Sequence, residues 1–276
     1  MNIPIHQTPI DIEDRLKHTK DLIKISINGL LSNYTYANHV SFMENIEDYL
    51  VFAHLGQETV KYQEIIACFQ MLFQINIAYL ETKEKPTGDT IIFRFGNYQS
   101  KTISDPTKKN SGFWLKTFHY ALISRARQVI EYLQENPPSE EETRKDNTFY
   151  DEHYVHYIKF LQTLGKNPQH SLEYIQDALA ALEHWPEFLA RRRWLALKMW
   201  IPVLENKVDH FNESLMSALL GHQDYYDSDN IDDFGISYRK DKSGLFNLLT
   251  TIISSYAFDQ GITIDITSDY MPQFIL

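Results

Sequence analysis

The chain has a single cysteine, Cys68, in 276 residues, so no disulfide forms within it and a disulfide-stapled scaffold is excluded. Basic charge is scarce as well. Against 37 Asp and Glu stand 26 Lys and Arg, a formal charge of -11. That is the wrong sign for a nonspecific binder of nucleic acid or of an anionic membrane, which needs clustered cations. A basic partner is attracted instead. No uninterrupted apolar run reaches the roughly 20 residues that span a bilayer. The segment Met1 to Pro9 lacks the basic and apolar regions of a secretory signal, so the expectation is a soluble, cytoplasmic protein without membrane contact. Also missing are a Gly-x-Ser-x-Gly elbow, a Gly-rich phosphate loop, a dinucleotide fingerprint and zinc-ligand spacing. With none of these, neither a catalytic residue nor a cofactor nor a metal is expected.

What is abundant is ring surface. Seventeen Tyr and 16 Phe, with 43% apolar residues, are too much buried-type surface for a disordered chain. The length suits one helical domain over 1–276, or two intimately packed parts, 1–137 and 138–276, divided near Pro137-Pro138.

Apolar residues recur at helical spacing along most of the chain. Ile12, Leu16, Ile23, Ile27 and Leu30 make one stripe; Ser41 to Leu55, closed by Gly56, and a helix from about Glu58 to Leu80 predict a hairpin. Leu115, Phe118, Leu122, Val129 and Leu133 read as one continuous seam from Ser111 to the proline pair. Ser139-Glu-Glu-Glu142 has the form of an N-cap followed by acids. Gly165-Lys-Asn167-Pro168 combines a C-terminal Gly, a capping Asn and a Pro at the first helical position, which predicts a tight turn between helices. Pro202 is expected to kink or end the helix begun at Trp185-Pro186. In the tail, Leu245 to Tyr256 form an apolar stripe, Gly261 stops it, and Ile262-Thr-Ile264-Asp-Ile266 alternates as a strand would. The strand-forming run Thr90 to Phe95 is expected to pair with it.

The fold class is therefore mostly α: about nine helices as stacked antiparallel hairpins, a bundle or a degenerate tetratricopeptide-like array, with at most a small two-stranded β element.

Three polar constellations call for a reading. His153 and His156 are spaced for one helix face, but no third ligand accompanies them, so they read as surface or packing histidines. Arg191-Arg-Arg193 lies in a mostly apolar helix and reads as a structural network, with at least one Arg paired to an acid inside the fold. The segment Asp224-Tyr225-Tyr226-Asp227-Ser-Asp229-Asn-Ile-Asp232-Asp233 carries five Asp in ten residues without Lys or Arg. It fails as a calcium loop, since Asp232 stands where Gly is required. It reads either as a solvated acidic loop or as a contact surface, because Tyr supplies rigid amphipathic area and Asp pairs with basic residues of a partner. The candidate contact residues are Asp224, Tyr225, Tyr226, Asp227, Asp229, Asp232 and Asp233.

Scattered apolar and aromatic residues over about 40–276 carry a family likeness. They are Tyr49-Leu50-x-x-Ala53-x-Leu55-Gly56-x-Glu58, Trp114-x-x-x-Phe118-x-x-Ala121-Leu122-Ile123, the Arg191 to Trp200 helix, the loop after Leu219-Leu220, Gly261-Ile262, and Ser268-x-Tyr270-x-Pro272. In these the chain resembles the immunity protein 49 family of bacterial polymorphic toxin systems. The resemblance implies a helical cytoplasmic protein that binds a cognate toxin or effector domain delivered between bacteria, as by type VI secretion, and blocks it without being an enzyme. Many such toxins attack nucleic acids and are basic, which suits the acidic charge. A helical scaffold or adaptor for a peptide, and a hydrolase with an unrecognised helical site, are the readings from other classes.

Overall fold

The computed structural model describes residues 2–4, 11–32, 34–56, 62–82, 85–103, 111–146, 151–183, 187–227 and 242–272. They are mostly helical, as expected. In chain order, β1 (Asn2–Ile3) precedes α1 (Ile12–Ser32), α2 (Tyr36–Leu55) and α3 (Tyr62–Glu81). A hairpin of β2 (Thr90–Phe95) and β3 (Tyr98–Ile103) leads to α4 (Ser111–Ile123), α5 (Arg127–Glu135) and α6 (Glu140–Asp146). Then come α7 (Asp151–Thr163), α8 (Pro168–Glu183), α9 (Glu187–Lys198), α10 (Trp200–Leu204) and α11 (Val208–Tyr226). A 3-10 turn at Lys242–Leu245, α12 (Leu248–Asp259) and β4 (Thr267–Ser268) complete the order.

Two compact units divide the chain, Pro9–Val129 and Ile130–Leu276, the latter joined by Met1–Thr8. In the first, α1 packs on α2 and α3 on α4 around Leu30, Phe42, Ile46, Phe69, Leu72 and Phe118. The α2–α3 contact predicted from their short joint exists but is the smaller one. In the second, α7 and α8 pair most closely, with α9 and α11 beside one another. Phe160, Leu161, Ile175, Leu197, Trp200 and Phe211 are fully buried there.

Local signals resolve as the chemistry dictates. Ser139 and Glu142 form a reciprocal capping box, the Ser139 N–H donating to Glu142 at 2.9 Å and the Glu142 N–H to the Ser139 hydroxyl at 3.3 Å. Asn167 caps α8 by accepting the His170 N–H at 3.2 Å, with Gly165 at φ 75° before it. Gly261, at φ 85°, lets the Ile262 N–H reach back to the Ala257 carbonyl at 3.0 Å and end α12.

Among the described residues helices outnumber the roughly nine expected, in part because two long stripes break. Arg125 takes the left-handed conformation at φ 55°, with Arg125 N–H bonded to Leu122 and Ala126 N–H to Ala121, so the seam from Ser111 splits into α4 and α5. This is a Schellman ending with Arg where Gly is usual. The helix before Pro202 breaks at Met199, and α10 ends with Asn206 at φ 54°.

The strand pairing also differs from expectation. β2 pairs antiparallel with β3, its neighbour in sequence, through a two-residue turn whose Gly96 has φ 53°. The tail run forms no strand. Its alternation survives, with Ile262 and Ile266 buried and Thr263 and Asp265 exposed, but its backbone is held by a side chain. Asn212 donates from Nδ2 to the Thr263 carbonyl at 2.9 Å and accepts the Asp265 N–H at 2.9 Å. The strand that does form there, β4, pairs in parallel with β1, giving two small sheets where at most one was expected.

Candidate partner-binding surface

Helix α11 buries Phe211, Leu215, Ala218, Leu219, His222 and Tyr226. These recur every three or four residues and define the inward face. The outward face is Asp209, Glu213, Ser217, Leu220, Asp224 and Asp227, again at steps of three and four, and all six are exposed. No Lys or Arg occurs between Val208 and Asp227. Asp209, Glu213 and Asp224 make no ion pair among the described residues. The result is an acidic helix surface with one exposed leucine set within it.

The first four candidate contact residues belong to this helix and not to a loop. Asp224, Tyr225 and Tyr226 form its last turn, and Asp227 is the C-cap, its N–H bonded to the Gln223 carbonyl at 2.8 Å. Tyr226 is buried, so it anchors the segment and offers no contact area. Tyr225 is half-buried, while Asp224 and Asp227 are exposed. Asp229, Asp232 and Asp233 lie outside the described residues. Sequence reading missed Asp209, Glu213 and Leu220; their signal was the three- and four-residue spacing, which the denser Asp run obscured.

What fixes the end of α11 is α9. The Arg192 guanidinium sits 4.6 Å from the Tyr225 ring centroid and 5.0 Å from that of Tyr226, and its Nη1 donates to the Tyr226 hydroxyl. Arg193 does the same with Tyr154 of α7. Arg191 is exposed. Two of the three are thus structural, and among the described residues Arg192 and Arg193 meet tyrosines where a carboxylate was foreseen. A half-buried guanidinium loses less hydration on an aromatic face than an ammonium would, and stacks there with its planar side. Helix packing is close here too: Gly221 of α11 sits where a Cβ would come within 2.4 Å of Leu195 of α9. On the other side of α11, the His222 ring nitrogen Nε2 donates to the Gly244 carbonyl at 3.1 Å and ties down the 3-10 turn.

The two histidines of α7 part company. His153 is fully buried with Nδ1 on the Ala178 carbonyl at 3.2 Å. His156 lies 3.6 Å from Asp177 and 3.9 Å from Glu152. Among the described residues no group of three His, Cys, Asp or Glu is placed to hold a metal ion. Burial, and then the nearby Glu64 carboxylate, push the Cys68 thiol up to about 12, which leaves it a protonated core residue at neutral pH. No helix among the described residues is long and apolar enough to cross a membrane. What the arrangement offers chemically is charge and shape on the outside of α11. A family model described as immunity protein 49 matches residues 70–275. No curated protein and no solved structure matches the chain.

Proposed function

The chain belongs to the immunity protein 49 family, and from that premise we propose that it neutralises a cognate toxin or effector domain in the cytoplasm by stoichiometric occlusion, with α11 as the contact helix. Membership in an immunity family speaks for a binding role and not for a catalytic one. The observation that carries the reading is the acidic outward face of α11, where Asp209, Glu213 and Asp224 make no ion pair among the described residues, in a chain of net charge -11. Such a field speeds encounter with a basic surface and fixes which partner docks. Toxins that act on nucleic acid carry basic substrate grooves, so the target is a nuclease or nucleic-acid-modifying domain.

Asp224, Tyr225, Asp227, Asp229, Asp232 and Asp233 are the proposed contact residues, and Arg192 holds Tyr225 in place beside them. Replacing the five Asp of this segment by Asn tests the surface. Association with the toxin encoded next to this chain slows by about tenfold or more at low salt and loses most of its salt dependence, while the fold is kept. Unchanged rate and affinity remove the segment from the interface. The immunity role has its own test: co-expression of the unaltered chain with that toxin restores growth, and failure to do so overturns the role itself.

A further inference from the structure

The β2–β3 hairpin has one face in the core and one in solvent. Ile91, Phe93, Phe95, Ser100 and Thr102 are buried, and the Ser100 hydroxyl donates to the Leu30 carbonyl at 2.6 Å. The register places Thr90, Ile92 and Arg94 outward, opposite Ile103, Lys101 and Gln99. Ile92 and Ile103 are exposed by 67% and 62%. They are diagonal neighbours across the pair, close enough to form one apolar spot. Arg94 and Lys101 border that spot, and neither makes an ion pair among the described residues. No acid lies on the outward face of either strand. In a chain with an excess of eleven negative charges this is a local inversion of sign. A single exposed isoleucine needs no explanation. Two together, framed by unpaired bases, have the pattern of a small docking surface with a charged rim.

We propose that this hairpin face binds a second copy of the chain, on the acidic outer face of that copy's α11. Charge complementarity selects the occupant. Hairpin against hairpin sets Arg94 and Lys101 against the same bases and is repulsive. The α11 face has the matching pattern, with Leu220, 41% exposed, standing between Glu213 and Asp224. Dimensions agree: Glu213 to Asp224 spans about 16 Å of helix, and the outward residues of β2 span about 13 Å. Each copy carries both surfaces, so the contact is heterologous. Its small area makes it weak, in the micromolar range or above. Association of this kind covers the helix proposed to meet the toxin, so free protein exchanges self-contact for toxin contact. It shares α11 with that proposal and does not depend on it, because it is measured without toxin.

Sedimentation of the full chain from about 10 to about 500 μM, at low and high salt, is the experiment. The expected result is a concentration-dependent rise in mass that high salt suppresses. Reversing charge on the hairpin (Arg94→Glu with Lys101→Glu) abolishes it, as does reversal on the helix (Glu213→Lys with Asp224→Lys). Combining the two reversals in one chain restores it. The milder pair Ile92→Thr with Ile103→Thr, which keeps β-branched residues in the strands, weakens association at least fivefold and gives a second reading if a reversed variant does not fold. A monomer throughout the range overturns the proposal. So does association that persists unchanged in the hairpin variants, or that is not restored by the combined reversals.

Discussion

The guanidinium of Arg193 lies 4.4 Å from the ring centroid of Tyr154 and donates through Nη1 to its hydroxyl at 2.6 Å. One tyrosine thereby supplies both a π-face and an acceptor to a half-buried cation, and α9 is tied to α7 by a contact that involves no carboxylate. Removing the hydroxyl alone, Tyr154→Phe, keeps the ring and costs about 1–2 kcal/mol, the range for a hydrogen bond to a charged group with some exposure. Tyr154→Leu loses the ring as well and costs about 0.5–1 kcal/mol more. Urea denaturation of both variants separates the two contributions; equal losses mean that the stack contributes nothing.

His153 makes the fold sensitive to acid. Its Nδ1 faces a carbonyl, which only accepts, so that nitrogen carries a proton, and full burial favours the neutral ring. Burial, and next the Arg193 charge, hold its pKa well below the usual 6.5. The folded state therefore resists a proton that the unfolded chain takes up. Stability is complete above 6.5 and falls as pH drops below that value toward the folded pKa. Between pH 7.5 and 5.5 the unaltered chain loses about 1 kcal/mol more than a His153→Leu variant does. Denaturation midpoints at the two pH values, compared between the proteins, read the difference. Identical pH slopes count against the assignment.

Two helical glycines respond to alanine in opposite directions. At Gly29 an added Cβ meets Asn38 at 3.5 Å or more, an ordinary contact, so Gly29→Ala stabilises α1 by about 0.5–1 kcal/mol. At Gly221 the Cβ falls 2.4 Å from Leu195 Cδ1, and Gly221→Ala destabilises by about 1–3 kcal/mol through overpacking. Adding Leu195→Ala to Gly221→Ala recovers part of that loss. A thermal melt of the three variants against the unaltered chain decides, and a stabilising Gly221→Ala shows that Leu195 yields freely.

Much of the fold was legible because it rests on local chemistry. The Ser139–Glu142 box, the Asn167-Pro168 start and the Gly261 stop need only their own segment, so the residue types reveal them. The break at Arg125 was not legible. A non-glycine residue in the left-handed region costs energy locally, and nothing in the Arg125 side chain announces that it stands where Gly is usual. The acidic segment was visible as composition. Its division into exposed Asp224 and Asp227 and buried Tyr226 was not, because Arg192, 34 positions earlier, makes the inner partner.

Periodicity and charge by themselves determined the helical class, several helix ends and the acidic character. Each of these follows from spacing along one chain or from a sum over it. Only the tertiary structure decided which strand meets which and what each arginine touches. It also decided which face of α11 remains in water. Those outcomes depend on groups far apart in sequence competing for the same partner: β3 supplies a full antiparallel ladder to β2 through a two-residue turn. The tail's Ile262 to Ile266 instead finds its hydrogen bonds in the Asn212 amide, and its two buried isoleucines settle into the core without a strand.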